Sequence, residues 1–191
     1  MNKKLLVAAM IAISLLCSCS SDTKEPAKPA SVSTSVETAA MNGKEYKLKT
    51  FKLGVNDFKD KYNQEASRLG KSEFSIKDFK TTKSDGTTVY EYNFTKNCGL
   101  LLKESGSGNI SEIMLADNSK SGENTAQTMA VFGIIIGVLT PEIKIEDRLA
   151  FIRKLVLNEK IKTDANEITQ NNVTYGAMLM GPILSLFASP K

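Results

Sequence analysis

The chain has 191 residues, 41% hydrophobic and 24% charged, enough apolar material for one ordinary domain with its own core and too little length for two full ones. Lysine and arginine number 25 against 21 acids, an excess of four that falls to two once Lys3 and Lys4 are set aside with the leader described below. That near-neutral balance, with Lys59, Lys61, Arg68 and Lys71 interleaved among Asp57, Asp60, Glu65 and Glu73, excludes the one-signed face of a nucleic-acid binder. Histidine is absent, which removes Ser-His-Asp and Cys-His catalysis, His-ligated zinc and an imidazole base.

Residues 1–4 are short and basic, and residues 5–16 form an apolar run of about a dozen, well under the roughly 20 residues of a membrane-spanning helix. The run ends in Leu15-Leu16-Cys17-Ser18-Cys19. This resembles the lipobox of bacterial lipoproteins, in which a leucine stands three places before a cysteine and a small residue directly before it. The resemblance implies a signal peptide over 1–18, cleavage between Ser18 and Cys19, diacylglycerol on the Cys19 sulfur and, in many bacteria, an acyl chain (palmitate) on the new amino group. An ordinary secretory signal is the alternative. Cys17 occupies the tolerant middle place and is the poorer acceptor, because Leu16 would then sit where a small side chain is wanted. Two or three acyl chains hold a protein firmly where one holds it reversibly, so the membrane is the first expected partner. The lack of aspartate after Cys19 implies, by resemblance to Gram-negative lipoproteins, sorting to the outer membrane, with the domain facing periplasm or exterior.

Residues 19–42, rich in serine, threonine, alanine and proline, read as the lipidated cysteine and a flexible linker, and Pro26 and Pro29 read as part of a spacer. The folded part is expected over 43–191. Residues 44–53 alternate weakly as an opening strand. Asn56 caps a helix with Phe58, Tyr62, Ala66 and Leu69 on one face and Gly70 at its end. Phe74 and Ile76 alternate, Ser84-Asp85-Gly86 is a turn signal, and Tyr90, Tyr92 and Phe94 follow at strand spacing, facing a core in preference to forming a carbohydrate or peptide platform. Residues 97–103 and 109–116 read as strands around Ser105-Gly106-Ser107-Gly108, which lacks the lysine and context of a phosphate loop.

Residues 123–139 predict a buried helix in which Gly133 and Gly137 permit close helix packing inside the domain. After Pro141, residues 145–157 predict an amphipathic helix burying Leu149, Ile152 and Val156. Residues 167–170 and 173–180 pair across Asn171-Asn172, and 182–187 add a last strand. The expected fold is α+β, an antiparallel sheet with about three helices on one face. Its order of helix, strands, helices, strands is similar to two-halved small periplasmic inhibitor folds, with no specific motif in common.

Cys98 is the one cysteine of the folded part and reads as a buried, inert thiol. The acids Asp57, Asp60, Glu91, Glu104, Glu112, Glu146 and Asp147 match no ligand spacing, so no catalytic set, metal site or cofactor is expected. The leading expectation is a non-enzymatic, membrane-anchored envelope lipoprotein that binds a protein partner, with a resemblance to immunity proteins and hydrolase inhibitors, and binds no nucleic acid. Two alternatives stand: a small-ligand carrier or sensor with an apolar pocket near Met178, Met180 and Phe187, and a hydrolase of envelope polymers using a carboxylate pair.

Overall fold

Apolar residues at strand spacing in the middle and at the end of the chain assemble into a seven-stranded antiparallel sheet, seen in a computed structural model that describes residues 31–41, 44–84, 87–119 and 125–191. The strands are β3 (Lys80–Ser84), β4 (Thr87–Asn93), β5 (Cys98–Glu104), β6 (Ile110–Asp117), β7 (Asn166–Gln170), β8 (Val173–Met180) and β9 (Ile183–Pro190). Their order in the sheet is β3-β4-β5-β6-β9-β8-β7, so two meanders meet where β6 pairs with β9. A separate hairpin, β1 (Thr34–Met41) and β2 (Lys44–Phe51), precedes them. The helices are α1 (Val55–Arg68), α2 (Thr125–Leu139) and α3 (Ile145–Val156). The fold is therefore α+β, with three helices and antiparallel strands.

The period of two along each strand sorts the sheet into two faces. Tyr90, Leu102, Ile113, Ala188, Tyr175 and Ile168 are successive cross-strand partners on one face. Aromatic rings of the helices meet rings of the strand region: Tyr62 of α1 packs on Phe94 beside Tyr92, and Phe132 of α2 and Phe151 of α3 both meet the Tyr175 ring edge-on. The row on the other face runs Lys80, Glu91, Leu101, Met114, Phe187, Gly176 and Glu167, charged at its ends and apolar in its centre. Phe187 lies flat across Gly176, where a Cβ would collide with its ring.

Local rules account for the ends of these elements. Phe58, Tyr62 and Ala66 recur every fourth residue and are fully buried. Gly70, at φ +64°, closes α1 with Gly70 N–H donating to Ser67 O and Lys71 N–H to Ala66 O, the bond pair of a Schellman cap. The helix starts earlier than the sequence suggests: Gly54, not Asn56, is its N-cap. Asn171 and Asn172 both have positive φ (48° and 64°), the type I′ geometry that a two-residue hairpin favours.

Three expectations need correction. β1 falls inside the 19–42 stretch read as linker, because Val32 is buried in the core and its N–H bonds Leu139 O, while Ser35 and Glu37 bond Thr50 across the hairpin. The Phe74–Ile76 alternation is not a strand: Ser72–Phe74 is a turn of 3-10 helix, and the Asn63 amide clamps both backbone groups of Ile76. On α3 the buried face is Arg148, Ile152 and Leu155, leaving Leu149 44% exposed. Asp85, Gly86, Glu123 and all residues before 31, Ser18 and Cys19 included, lie outside the described residues. Among the described residues no helix is long and apolar enough to cross a membrane.

Candidate functional site

The sharpest electrostatic feature sits where α1 crosses the corner between α2 and α3. Arg148, on the buried face of α3, points back between the helices, and its side chain is only 6% exposed. Its Nη1 donates to Glu65 Oε1 of α1 at 2.6 Å and to Gly133 O of α2 at 3.3 Å, and Nε donates to Ile143 O at 3.1 Å. Arg68, one turn along α1, grips the same carboxylate through Nε and Nη2, both at 2.7 Å. Burial by itself pushes the Glu65 carboxyl up, but the hydrogen bonds and charges of Arg68 and Arg148 outweigh it and hold the group below its usual range.

This arrangement explains Gly137. A methyl group at Gly137 would collide with both the Arg148 guanidinium and the Glu65 carboxylate, so α2 is bare there to let an ion pair lie against its backbone. Gly137 thus serves packing inside the domain, through an arginine of a neighbouring helix, whereas a methyl at Gly133 would make only an ordinary contact with Ile152. Above the ion pair opens a cleft of about 820 Å³, lined by Lys61, Gln64 and Arg68 from α1 and by Val138, Pro141, Lys144, Ile145 and Glu146 from the α2–α3 corner. Ile145 is 51% exposed at its rim.

A second carboxylate is held differently. Glu37 of β1 accepts from Thr50 Oγ1 and Asn109 Nδ2 on Oε1, and from Ser105 and Ser107 hydroxyls on Oε2, over 2.5–2.9 Å. Burial raises its pKa, yet the bonds from Ser107, Asn109, Ser105 and Thr50 bring it down to about 2. The Ser105-Gly106-Ser107-Gly108 turn is a hairpin loop, as its spacing implies, and its hydroxyls fasten the first hairpin to the sheet. Beside it a polar cleft of about 420 Å³ brings Asp57 and Glu104 together with Tyr90, whose hydroxyl donates to Glu104 Oε2 at 3.0 Å.

The other sequence candidates disperse. Cys98 is 1% exposed; burial pushes its thiol up, the Thr128 hydroxyl 3.7 Å from Sγ opposes this, and the Asp117 charge adds to it. Tyr90, Tyr92 and Phe94 are packed with Phe79 and are not a free aromatic platform. Met178 and Phe187 lie on the sheet face opposite Tyr175 and, with Met180, line neither cleft. No group of three or more potential metal ligands occurs among the described residues. Arg148 escaped the sequence reading because its helix offers two apolar stripes, and the one through Ile152 and Leu155 carries a charge. Comparison with known proteins finds no matching family, no matching curated protein and no matching solved structure.

Proposed function

We infer that this protein is a lipid-anchored lipoprotein of the bacterial envelope, on the outer membrane, whose α+β domain is a non-enzymatic interaction module for a protein partner. The lipobox-like Leu16-Cys17-Ser18-Cys19 supports the anchor, and Cys19 carries the lipid in this reading. With Val32 already in the core, the 13 residues from Cys19 to Val32 span at most about 45 Å, which keeps the domain near its membrane. The observation that carries the binding role is the cleft between α1 and the α2–α3 corner, where exposed Lys61, Arg68 and Lys144 surround exposed Ile145. An apolar patch rimmed by charge is the usual anatomy of a protein-binding surface. Mass spectrometry of the natural product is expected to find an acylated N-terminal Cys19, and an intact Met1 start would remove the anchor. Immobilised protein is expected to retain a defined envelope protein through native washing; loss of every partner under those conditions would remove the interaction role.

One observation favours a second reading, a carboxylate-based hydrolase: Asp57 and Glu104 share the smaller cleft. In that reading Asp57→Asn and Glu104→Gln each abolish release of sugars from envelope polymers by the purified protein. Unaltered protein that releases none would end it.

A further inference from the structure

We propose that the cleft between α1 and the α2–α3 corner is the docking site for an acidic, partly apolar peptide segment of the protein partner, with Arg148 as the buried anchor of its carboxylate. The inference rests on the interaction role above and names its partner's chemistry. Two guanidiniums, Arg68 and Arg148, share the single carboxylate of Glu65, which gives the trio one net positive charge at the cleft floor. Among the described residues Lys61 and Lys144 line the same cleft with no ion pair, while Glu142 and Glu146 of the same corner offset only part of this charge. Positive charge in a recess with low-dielectric walls concentrates anions.

The guanidinium of Arg148 points to where an anion would sit. Of the five N–H groups of an arginine, those on Nε and Nη1 have acceptors in Ile143, Glu65 and Gly133, and the Nη2 pair has none among the described residues. Among the described residues the side-chain atoms that are sealed from solvent without a partner are Tyr62 Oη, Glu142 Oε2 and Ser185 Oγ. Arg148 Nη2 is not one of them, and Arg148 is among the residues that line the cleft. A carboxylate placed there gains a charge-assisted bond from a group that is already desolvated and oriented. The apolar contribution comes from Ile145 and, one turn further along α3, Leu149, which are 51% and 44% exposed. A lone carboxylate would leave that stripe bare; a peptide alternating acidic and apolar side chains covers both parts.

The test uses the full mature protein in zwitterionic detergent, titrated at low ionic strength into a short fluorescent peptide of alternating glutamate and leucine. Saturable binding is expected, with the glutamine-and-leucine counterpart weaker by about tenfold and the affinity falling as salt is added. The exposed double variant Lys61→Gln, Lys144→Gln is expected to lose about fivefold in affinity with an unchanged thermal midpoint. Equal binding of the two peptides, no binding, or an unaffected double variant would overturn the proposal. So would competition by acetate at the peptide's own concentration, which marks a small-carboxylate pocket, or by phosphatidylglycerol vesicles, which marks a lipid surface. The two readings fail separately. A native partner bound by the double variant with undiminished affinity overturns the docking site and leaves the interaction role standing, whereas peptide binding with no native partner removes the interaction role and with it the assignment of the cleft to a protein partner.

Discussion

Glu65 and Glu37 are both carboxylates held below their ordinary range, and they are held by opposite means. Glu65 lies between two guanidiniums in a helix corner, so its environment is charge against charge in a desolvated place. Glu37 has no cation on it among the described residues; three hydroxyls and an amide supply oriented dipoles. The difference teaches which failure each region should show. Removing one partner of a buried charge leaves an uncompensated ion, whereas removing charge from a cradle of neutral donors costs only the strength of some hydrogen bonds.

The largest effect is therefore expected at the helix corner. Glu65→Gln should destabilise the protein by about 3 kcal/mol in urea unfolding, because Arg148 stays buried without its counter-charge. Pairing Glu65→Leu with Arg148→Met should recover most of that loss, and a double variant no better than the single would mean the ion pair is not the source of the cost. Glu37→Gln should cost about 1 kcal/mol and speed amide exchange across Thr34–Met41 and Lys44–Phe51, the hairpin it fastens.

The pH dependence separates the two further. The folded pKa of Glu37 is depressed from 4.5 to about 2, so its contribution is fully present above pH 4.5 and is lost as pH falls from 4.5 towards 2. Glu65 acts with the same sign. Comparing urea midpoints across this window, Glu37→Gln should flatten the acid slope and leave the rest to Glu65; an unchanged slope would show that the hydroxyl cradle does not hold the charged form. Cys98 reports opening of the core in place of a change in stability. Its thiol should react with a labelling reagent only as fast as the protein opens, and rapid labelling of folded protein would contradict its burial.

Much of the element order was legible because local rules set it. The Phe58, Tyr62 and Ala66 stripe, the Gly70 cap and the Asn171-Asn172 turn each depend on a few neighbouring residues, and the structure follows them. The same local reading missed β1, whose sequence has little to bury: its place is decided by Val32 under the end of α2 and by Glu37 reaching residues 68 to 72 positions away. It also mistook the buried stripe of α3, since Leu149 and Leu155 are equal candidates until the neighbours of the helix are known.

What the amino-acid order determined alone is what depends on contiguous residues: the lipobox-like Leu16-Cys17-Ser18-Cys19, the absence of histidine chemistry, the alternation of the strands and the caps and turns that bound them. What only the tertiary structure decided is which distant side chains share a charge. Glu65 and Arg148 are 83 positions apart, and their meeting requires α1, a bare Gly137 on α2 and a rotated α3 to converge at one point. Such convergence is set by the packing of whole elements, and hydrophobic burial, which fixes that packing, carries no mark of it in any short stretch of sequence.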